Sequence, residues 1–569
     1  MPDYSSYFHP LSVVKTLFWG SILASAVCFA SDRWLHKIIQ CHWKLMLILL
    51  LLVLSWRLPM DGRFFHGLEY EDSYVYTVAG RQMLENGGPS APSTEFPYSI
   101  NVCAIGSLES CEEWQSFPEH FIGYPYTVSL FSRLIGYTPD VASIENVLAA
   151  CLTDILIFFI ALLATSDVMM ASAAAIVYAI TPVFAVYGLE TSAEPASNAC
   201  ISLIIWLYVR SISALSVTER QWIKWMRWSA LTAVLLFSLT VKREDILLAI
   251  ILPFTLPLIA GWRTAPRFER MRLLLLFVLS AAIALALCVH MRLMQTTEGE
   301  AALLRAYPFT VARLATFVYG FARSFFVNQW YGGTVAAVGV GAVVVCRRRG
   351  LLLVPLIVFI AFGLLYAFHV RSYYEMRSGQ IETMAALRFS MNLMTVWALL
   401  GGIGIGTVMT MATGLGLYRR HKRASLIMGV GILVAVLVAS FVMTRNLRAD
   451  AVEDETNVRL IPARTAFQFA FRSGSPSDYI VTLEPLIIQM YAKSTVRVVD
   501  LANVSPTELE KLIDSGEAGR FVYLDESIHQ TEADSIRYGE QTQYLDSLSQ
   551  RVVYSTEGFR IIVIDLPSP

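Results

Sequence analysis

Three carboxylates, Glu69, Glu71 and Asp72, stand among Tyr70, Tyr74 and Tyr76 just beyond a very apolar segment, Leu45 to Leu54. Carboxylates gathered at a lipid–water boundary suit two tasks. They can take a proton from a hydroxyl as a general base, or hold a divalent cation, Mg or Mn, that neutralises a phosphate. Acids ahead of a helix also favour its positive N-terminus and cap it. Three acids from Glu69 to Asp72 exceed what capping needs. Glu71 and Asp72 are therefore the candidate base or metal ligands, with Glu69 and Tyr74 beside them.

Two further groups could bind an anion. Lys242-Arg243-Glu244-Asp245 lies between two short apolar runs, where Arg forks would match phosphate oxygens. An ion pair of Lys242 or Arg243 with Glu244 or Asp245 is the simpler alternative. Arg371, Arg377 and Arg388, with Tyr373 and Tyr374, form a second basic and aromatic group. In the stretch Tyr187 to Asn198, Ser192 can cap a helix and Pro195 sits in its first turn. Glu194 is then either a partner of the helix dipole or, being an acid at membrane depth, a functional group. His120 and His290 are lone histidines with no ligand role. The run Gln221 to Trp228, with three tryptophans among its residues, reads as an interface anchor.

These groups have to be placed by membrane helices. The 569 residues are 55% hydrophobic and only 16% charged, against about 25% charged in soluble chains. Mean hydropathy is +0.54. The class is a polytopic α-helical membrane protein. Apolar runs predict about 11–12 spans, near residues 12–30, 43–58, 142–164, 168–187, 195–210, 228–241, 246–261, 271–290, 332–346, 351–370, 387–409 and 424–444. Lys15 leaves the first open to an in-plane helix, and no A-x-A cleavage site marks it as a removable signal. Basic connectors at Arg33 to Lys44, Arg210 to Arg227, Arg263 to Arg272, Arg347 to Arg349 and Arg419 to Arg423 all fall on one face, which is thereby cytoplasmic. The acidic clusters and the Lys242 and Arg371 groups then face outside, against the positive-inside trend.

The chain reads as an N-terminal membrane segment and basic linker (1–42), a membrane domain (43–444) and an external tail (445–569). The first external loop, 59–141, carries a helical stretch from Ser73 to Glu85 and an aromatic helix within His120 to Tyr137, expected to lie in the interface with its apolar face toward lipid. The tail alternates β-like runs at 479–483, 496–499, 520–524, 551–554 and 559–565 with helical stretches, which predicts a small α/β domain closed by a hairpin at Glu557-Gly558. It carries no glycine-rich phosphate loop, so neither a nucleotide nor a nucleic-acid partner is expected. Of eight cysteines, Cys103 and Cys111 lie in the external loop, where an oxidising compartment would permit a disulfide.

Glu69 to Tyr76 with Arg81, the Glu190 to Pro195 turn and Leu239 to Glu244 between two short spans resemble the GT-C glycosyltransferases, in the branch of protein O-mannosyltransferases and aminoarabinose lipid A transferases. The layout from 43 to 444, with its large first external loop and soluble tail, is similar too. The resemblance implies an inverting transfer of one sugar from a polyprenyl-phosphate donor on the non-cytoplasmic face of a bacterial inner membrane. The acceptor would be a glycolipid, a polysaccharide or a protein hydroxyl. It implies that Glu71 or Asp72 serves as base or metal ligand. The phosphate of such a donor needs positive charge at the outer boundary, and the chain supplies Lys242, Arg243, Arg371, Arg377 and Arg388. The order here is Glu-Asp rather than Asp-Glu, and neither Asp-x-Asp nor Trp-Trp-Asp-x-Gly occurs, so transfer of a whole oligosaccharide to asparagine is not expected. A secondary transporter or lipid flippase is the alternative, but it predicts paired broken helices and midplane ionisable groups, and Asp154 is almost the only acid deep in a span. A non-catalytic envelope assembly factor is the third reading.

Overall fold

In hydrocarbon, backbone polar groups must bond within their own segment, so the apolar runs of this chain fold as helices. The computed structural model describes residues 10–57, 76–77, 79–81, 83–84, 99–101, 114–116, 122–138, 140–188, 192–214, 220–258, 266–293, 350–368, 391–414, 434, 437–449, 478–482, 497–501, 504–514, 520–525, 532–556 and 559–564. Two compact units emerge: Met1–Gly67, Pro118–Tyr126 and Ser143–Ala451; and Leu68–Phe117, Thr127–Ala142 and Val452–Pro569.

The helices ahead of the tail are α1 (Pro10–Ser31), α2 (Arg33–Arg57), α3 (Gly123–Ile135), α4 (Val141–Thr165), α5 (Val168–Ile180), α6 (Pro182–Tyr187), α7 (Ala193–Ser213), α8 (Gln221–Val241), α9 (Ile246–Thr255), α10 (Arg267–Leu293), α11 (Leu353–Phe368) and α12 (Met391–Gly414). Among the described residues, five helices are long and apolar enough to cross a membrane: Ser12–Ser31, Arg33–Trp56, Val141–Thr165, Ala193–Ser213 and Arg270–Leu287. Val168–Ile180, Gly350–Leu365 and Met391–Thr407 are shorter apolar helices. The expected span 332–346 lies outside the described residues. The run 168–187, expected as one span, is split because Pro182 cannot continue a helix and holds Thr181 extended. Asp167 starts α5 by accepting the Met169 and Met170 amides at 2.8 and 3.2 Å.

Packing follows from small residues and aromatics. Gly402 and Gly406 let α12 lie directly on the backbone of α5 at Ala174 and Met170. α1 runs along α8, with the Phe18 ring edge-on to Phe237 and Tyr126. Phe29 stacks on Trp206 of α7 at 4.8 Å. The first apolar run is thus a full helix packed against α7 and α8. Of the tryptophan run, Trp222 is exposed, while Trp228 is buried against Phe277 of α10. In α3 the aromatic face departs from expectation: Tyr124 and Tyr126 are fully buried inside the protein, and exposure is confined to Arg133, Leu134 and Ile135 at its end. Their hydroxyls explain this, since each finds a hydrogen-bond partner within the bundle.

In the second unit, β1 (Ser99–Asn101) and β2 (Trp114–Ser116) form an antiparallel pair. The described part of the 73–85 stretch is helical, and the Arg81 guanidinium lies 4.9 Å from the Tyr137 ring centroid. The tail has the expected α/β alternation: β3 (Asp478–Thr482), β4 (Arg497–Asp500), α13 (Pro506–Asp514), β5 (Arg520–Asp525), α14 (Glu532–Asp546), β6 (Gln550–Thr556) and β7 (Phe559–Ile564). Strand order is β4-β3-β5-β7-β6, parallel through the first three strands and closed by the β6–β7 hairpin, in which Thr556 pairs with Phe559. Tyr479 stacks on its register neighbour Phe521 over a core of Val481, Leu509 and Ile562. Ser505 and Glu508 close a capping box on α13, the Ser505 amide donating to Glu508 at 2.9 Å.

Candidate functional site

Lys242 ends α8 in extended conformation, and Arg243–Asp245 then make one 3₁₀ turn before α9. That reversal separates the charges. Lys242 and Asp245 turn inward, to 7% and 0% exposure, while Arg243 keeps a side chain 40% exposed. Lys242 Nζ reaches Glu194 Oε1 at 3.3 Å, across to the first turn of α7. Arg243 has Glu244 at 3.8 Å. The ion pair expected within the 242–245 segment therefore forms for Arg243, whereas Lys242 finds its carboxylate on another helix.

Asp245 is pinned from two sides. Ser197 Oγ donates toward both of its carboxylate oxygens, at 3.0 and 3.1 Å, and Asn392 Nδ2 donates to Ser197 Oγ at 3.3 Å. This chain of bonds ties α12, α7 and the α8–α9 turn together. Burial pushes the Asp245 carboxyl well above the usual carboxylate range; the Lys242 charge and the Ser197 and Ser238 hydroxyls pull against that, and Glu244 adds to it.

The N-terminal end of α7 is held from the opposite flank. Ser192 occupies the N-cap position without a side-chain capping bond, and its carbonyl accepts Asn146 Nδ2 of α4 at 3.3 Å. Asn146 Oδ1 in turn accepts Tyr124 OH of α3 at 3.1 Å. One residue earlier, Gly123 sits directly on the Thr240 backbone, two residues before Lys242, with no room for a Cβ. Trp19 of α1 donates to Tyr126 OH at 3.1 Å. α1, α3, α4, α7, α8 and α12 thus all fix the Glu194–Lys242 end.

Of the residues expected to do chemistry, Glu194 and Lys242 are brought together and Arg243 stands beside them. Glu69, Glu71, Asp72, Tyr74, Arg371, Arg388, Cys103 and Cys111 lie outside the described residues. Among the described residues no group of three or more His, Cys, Asp or Glu could hold a metal ion. The acids expected to carry a divalent cation are Glu71 and Asp72, so the described residues do not bear on its fit. Sequence reasoning passed over Asn146, Ser197, Asn198 and Asn392 and took Asp245 only as an ion-pair partner. The asparagines carried a legible signal, being amides within apolar runs, where each must find a partner.

No family model matches the sequence, and no curated protein does. Solved structures do. ArnT from Cupriavidus metallidurans in the apo state aligns over 92% of this chain and 98% of its own, at 13% identity and a TM-score of 0.57. The same protein bound to undecaprenyl phosphate gives 12% identity, the same coverage and a TM-score of 0.56. The archaeal oligosaccharyltransferase AglB from Archaeoglobus fulgidus, in complex with an inhibitory peptide and a dolichol-phosphate, aligns over 92% of this chain and 74% of its own at 11% identity and a TM-score of 0.47. At such identities the likeness is one of fold, and the chain is a multi-pass integral membrane protein with the fold of ArnT.

Proposed function

We propose that the chain is a membrane glycosyltransferase that moves one sugar from a polyprenyl-phosphate donor to a hydroxyl of a glycolipid, polysaccharide or protein on the non-cytoplasmic face of a bacterial inner membrane. The observation that carries this reading is the Glu194–Lys242–Arg243 cluster at the end of a helix bundle whose fold is that of a protein solved with undecaprenyl phosphate. Cations beside an apolar helix bundle suit a lipid phosphate, with Arg243 turned outward and Lys242 held ready by Glu194.

The transfer is a single displacement with inversion. The acceptor oxygen bonds to the anomeric carbon as the bond from that carbon to the phosphate oxygen breaks, and the acceptor proton passes to a carboxylate, Asp72 or Glu71. The leaving polyprenyl phosphate gains charge, which Arg243, Lys242, Arg371 and Arg388 would balance. Glu69 and Tyr74 are next to the base in sequence. A divalent cation, held by Asp72 and Glu71, would supply further charge neutralisation at the phosphate.

The test is purified protein in nanodiscs with undecaprenyl-phosphate sugars and total envelope glycolipid as acceptor, wild type against Glu71→Gln and Asp72→Asn. Sugar transfer that falls at least a hundredfold in one variant supports the reading. Full activity in both removes the catalytic assignment, and uptake or lipid flipping without transfer replaces the function with transport.

A further inference from the structure

Asn198 is fully buried in α7, and neither its Oδ1 nor its Nδ2 has a hydrogen-bond partner among the described residues. Burying an amide without partners forfeits its hydration with nothing in return, and native structures keep such groups rarely. Its neighbours along the helix show that partners were available nearby: Ser197 bonds Asp245, and Asn146 and Asn392 both donate to α7. The position is therefore one where a polar side chain is retained against stability.

Its direction is set by the helix. Asn198 follows Glu194 by four residues, so the two share a face of α7, and helical side chains lean toward the N-terminus. The Asn198 amide thus lies one turn beneath the Glu194–Lys242 pair and points toward it. That ion pair is 3.3 Å long, and both of its side chains are nearly buried. A carboxamide offers one acceptor and two donors together. Phosphate oxygens at neutral pH accept only, and Lys242 and Arg243 already supply donors for them. The complement of a carboxamide is a group that both donates and accepts, which a sugar hydroxyl does.

We propose that Asn198 is a specificity-determining residue that hydrogen-bonds a hydroxyl of the transferred sugar when the Glu194–Lys242 pair opens to the donor. The proposal rests on the glycosyltransferase reading and names the sugar end of the same site. Asn198→Leu keeps the forked shape of the side chain and removes the unpaired amide, so it separates the two roles an asparagine could have here. A residue kept for ligand is expected to leave a more stable resting protein when removed, at the expense of binding.

The experiment measures thermal unfolding of wild type and Asn198→Leu in nanodiscs, alone and titrated with undecaprenyl phosphate or with undecaprenyl-phosphoryl glucose, mannose and galactose. The expected result has three parts. Asn198→Leu without lipid melts at or above the wild-type temperature, its affinity for undecaprenyl phosphate changes less than twofold, and its affinity for the sugar-bearing lipid that wild type binds best weakens about tenfold or more. A lower melting temperature would instead assign the amide to a structural water and overturn the proposal. Equal weakening for both lipid classes would place Asn198 at the phosphate and also overturn it. Wild type binding the sugar-bearing lipids no better than undecaprenyl phosphate rejects the sugar contact while leaving the transferase reading intact. Failure of wild type to bind any polyprenyl phosphate rejects that reading itself.

Discussion

The Asp32 carboxylate receives two hydrogen bonds from the Arg210 guanidinium, at 2.7 and 3.0 Å, across 178 residues of sequence. Arg227 adds a contact at 3.4 Å, and the Trp34 and Leu35 amides donate to the same carboxylate, so one acid caps α2 and joins the α1–α2 turn to α7 and α8. Burial alone would raise the Asp32 carboxyl; the Arg210 bonds and the charges of Arg210 and Arg227 outweigh it and hold the group below the usual range.

Asp32→Ala leaves two arginines facing each other in a dry site, and the expected loss is about 3–5 kcal/mol. The sign with pH follows from a depressed folded-state value. The stabilisation is present above the unfolded carboxyl value near 3.9 and disappears as pH falls through the lower folded value. Thermal unfolding in detergent should therefore show a large gap between wild type and Asp32→Ala at pH 7 that narrows only under strong acid. A variant melting within a degree of wild type at pH 7 would remove α1 from the core.

The Glu194–Lys242 pair separates stability from function. Lys242→Met takes the cation away from the buried Glu194, and Glu194→Gln takes the carboxylate away from the buried Lys242; each single change is expected to destabilise by about 3 kcal/mol or more. The double variant removes both charges and is expected to recover most of that stability. Recovery of sugar transfer is not expected, because the phosphate would still lack Lys242. A double variant as active as wild type would show the pair to be structural only.

Much of this was legible because membrane helices announce themselves. Apolar runs and basic connectors located α1, α2, α4, α7 and α10 to within a few residues at most ends, and alternation located the strands of the tail. Pro182 was visible too, yet its break was passed over, since hydropathy windows do not see a missing donor. The site was half legible. Lys242 and Glu194 stood out as charges at membrane depth, but their meeting depends on how α7 and α8 pack, which periodicity does not encode. Asp245 looked like the tail of a charged turn. Only the 3₁₀ reversal after Lys242 turns it inward onto Ser197 and Asn392.

Helix contact through glycine gives a prediction with its own control. A Cβ at Gly402 would collide with the Ala174 backbone of α5, whereas Gly20 of α1 has nothing within 4 Å of the same position. Gly402→Ala should force α5 and α12 apart and cost on the order of 1–3 kcal/mol, with larger side chains costing more. Gly20→Ala should be neutral or slightly stabilising, since alanine favours the helix. Equal melting temperatures for the two variants in nanodiscs would contradict the close packing of α5 on α12.

Asp245 carries the opposite pH dependence from Asp32. Its folded-state value is raised, so its favourable contribution is complete below the unfolded carboxyl value near 3.9 and is lost as pH rises toward the folded value. Above that point the carboxylate must either ionise in a buried site or break from Ser197. Asp245→Asn keeps the shape and cannot ionise, and its amide can still bond Ser197. The variant and wild type should melt together at about pH 4 and diverge as pH rises, with the variant the more stable by a few degrees or more at pH 8–9, about 2–4 °C for each kcal/mol of difference. Because the same turn carries Lys242 and Arg243, loss of its anchor should also loosen the cations. Undecaprenyl phosphate affinity of wild type should then fall with rising pH more steeply than that of Asp245→Asn. Parallel pH profiles for the two proteins would mean that Asp245 stays ionised throughout and that Lys242, not burial, sets its state.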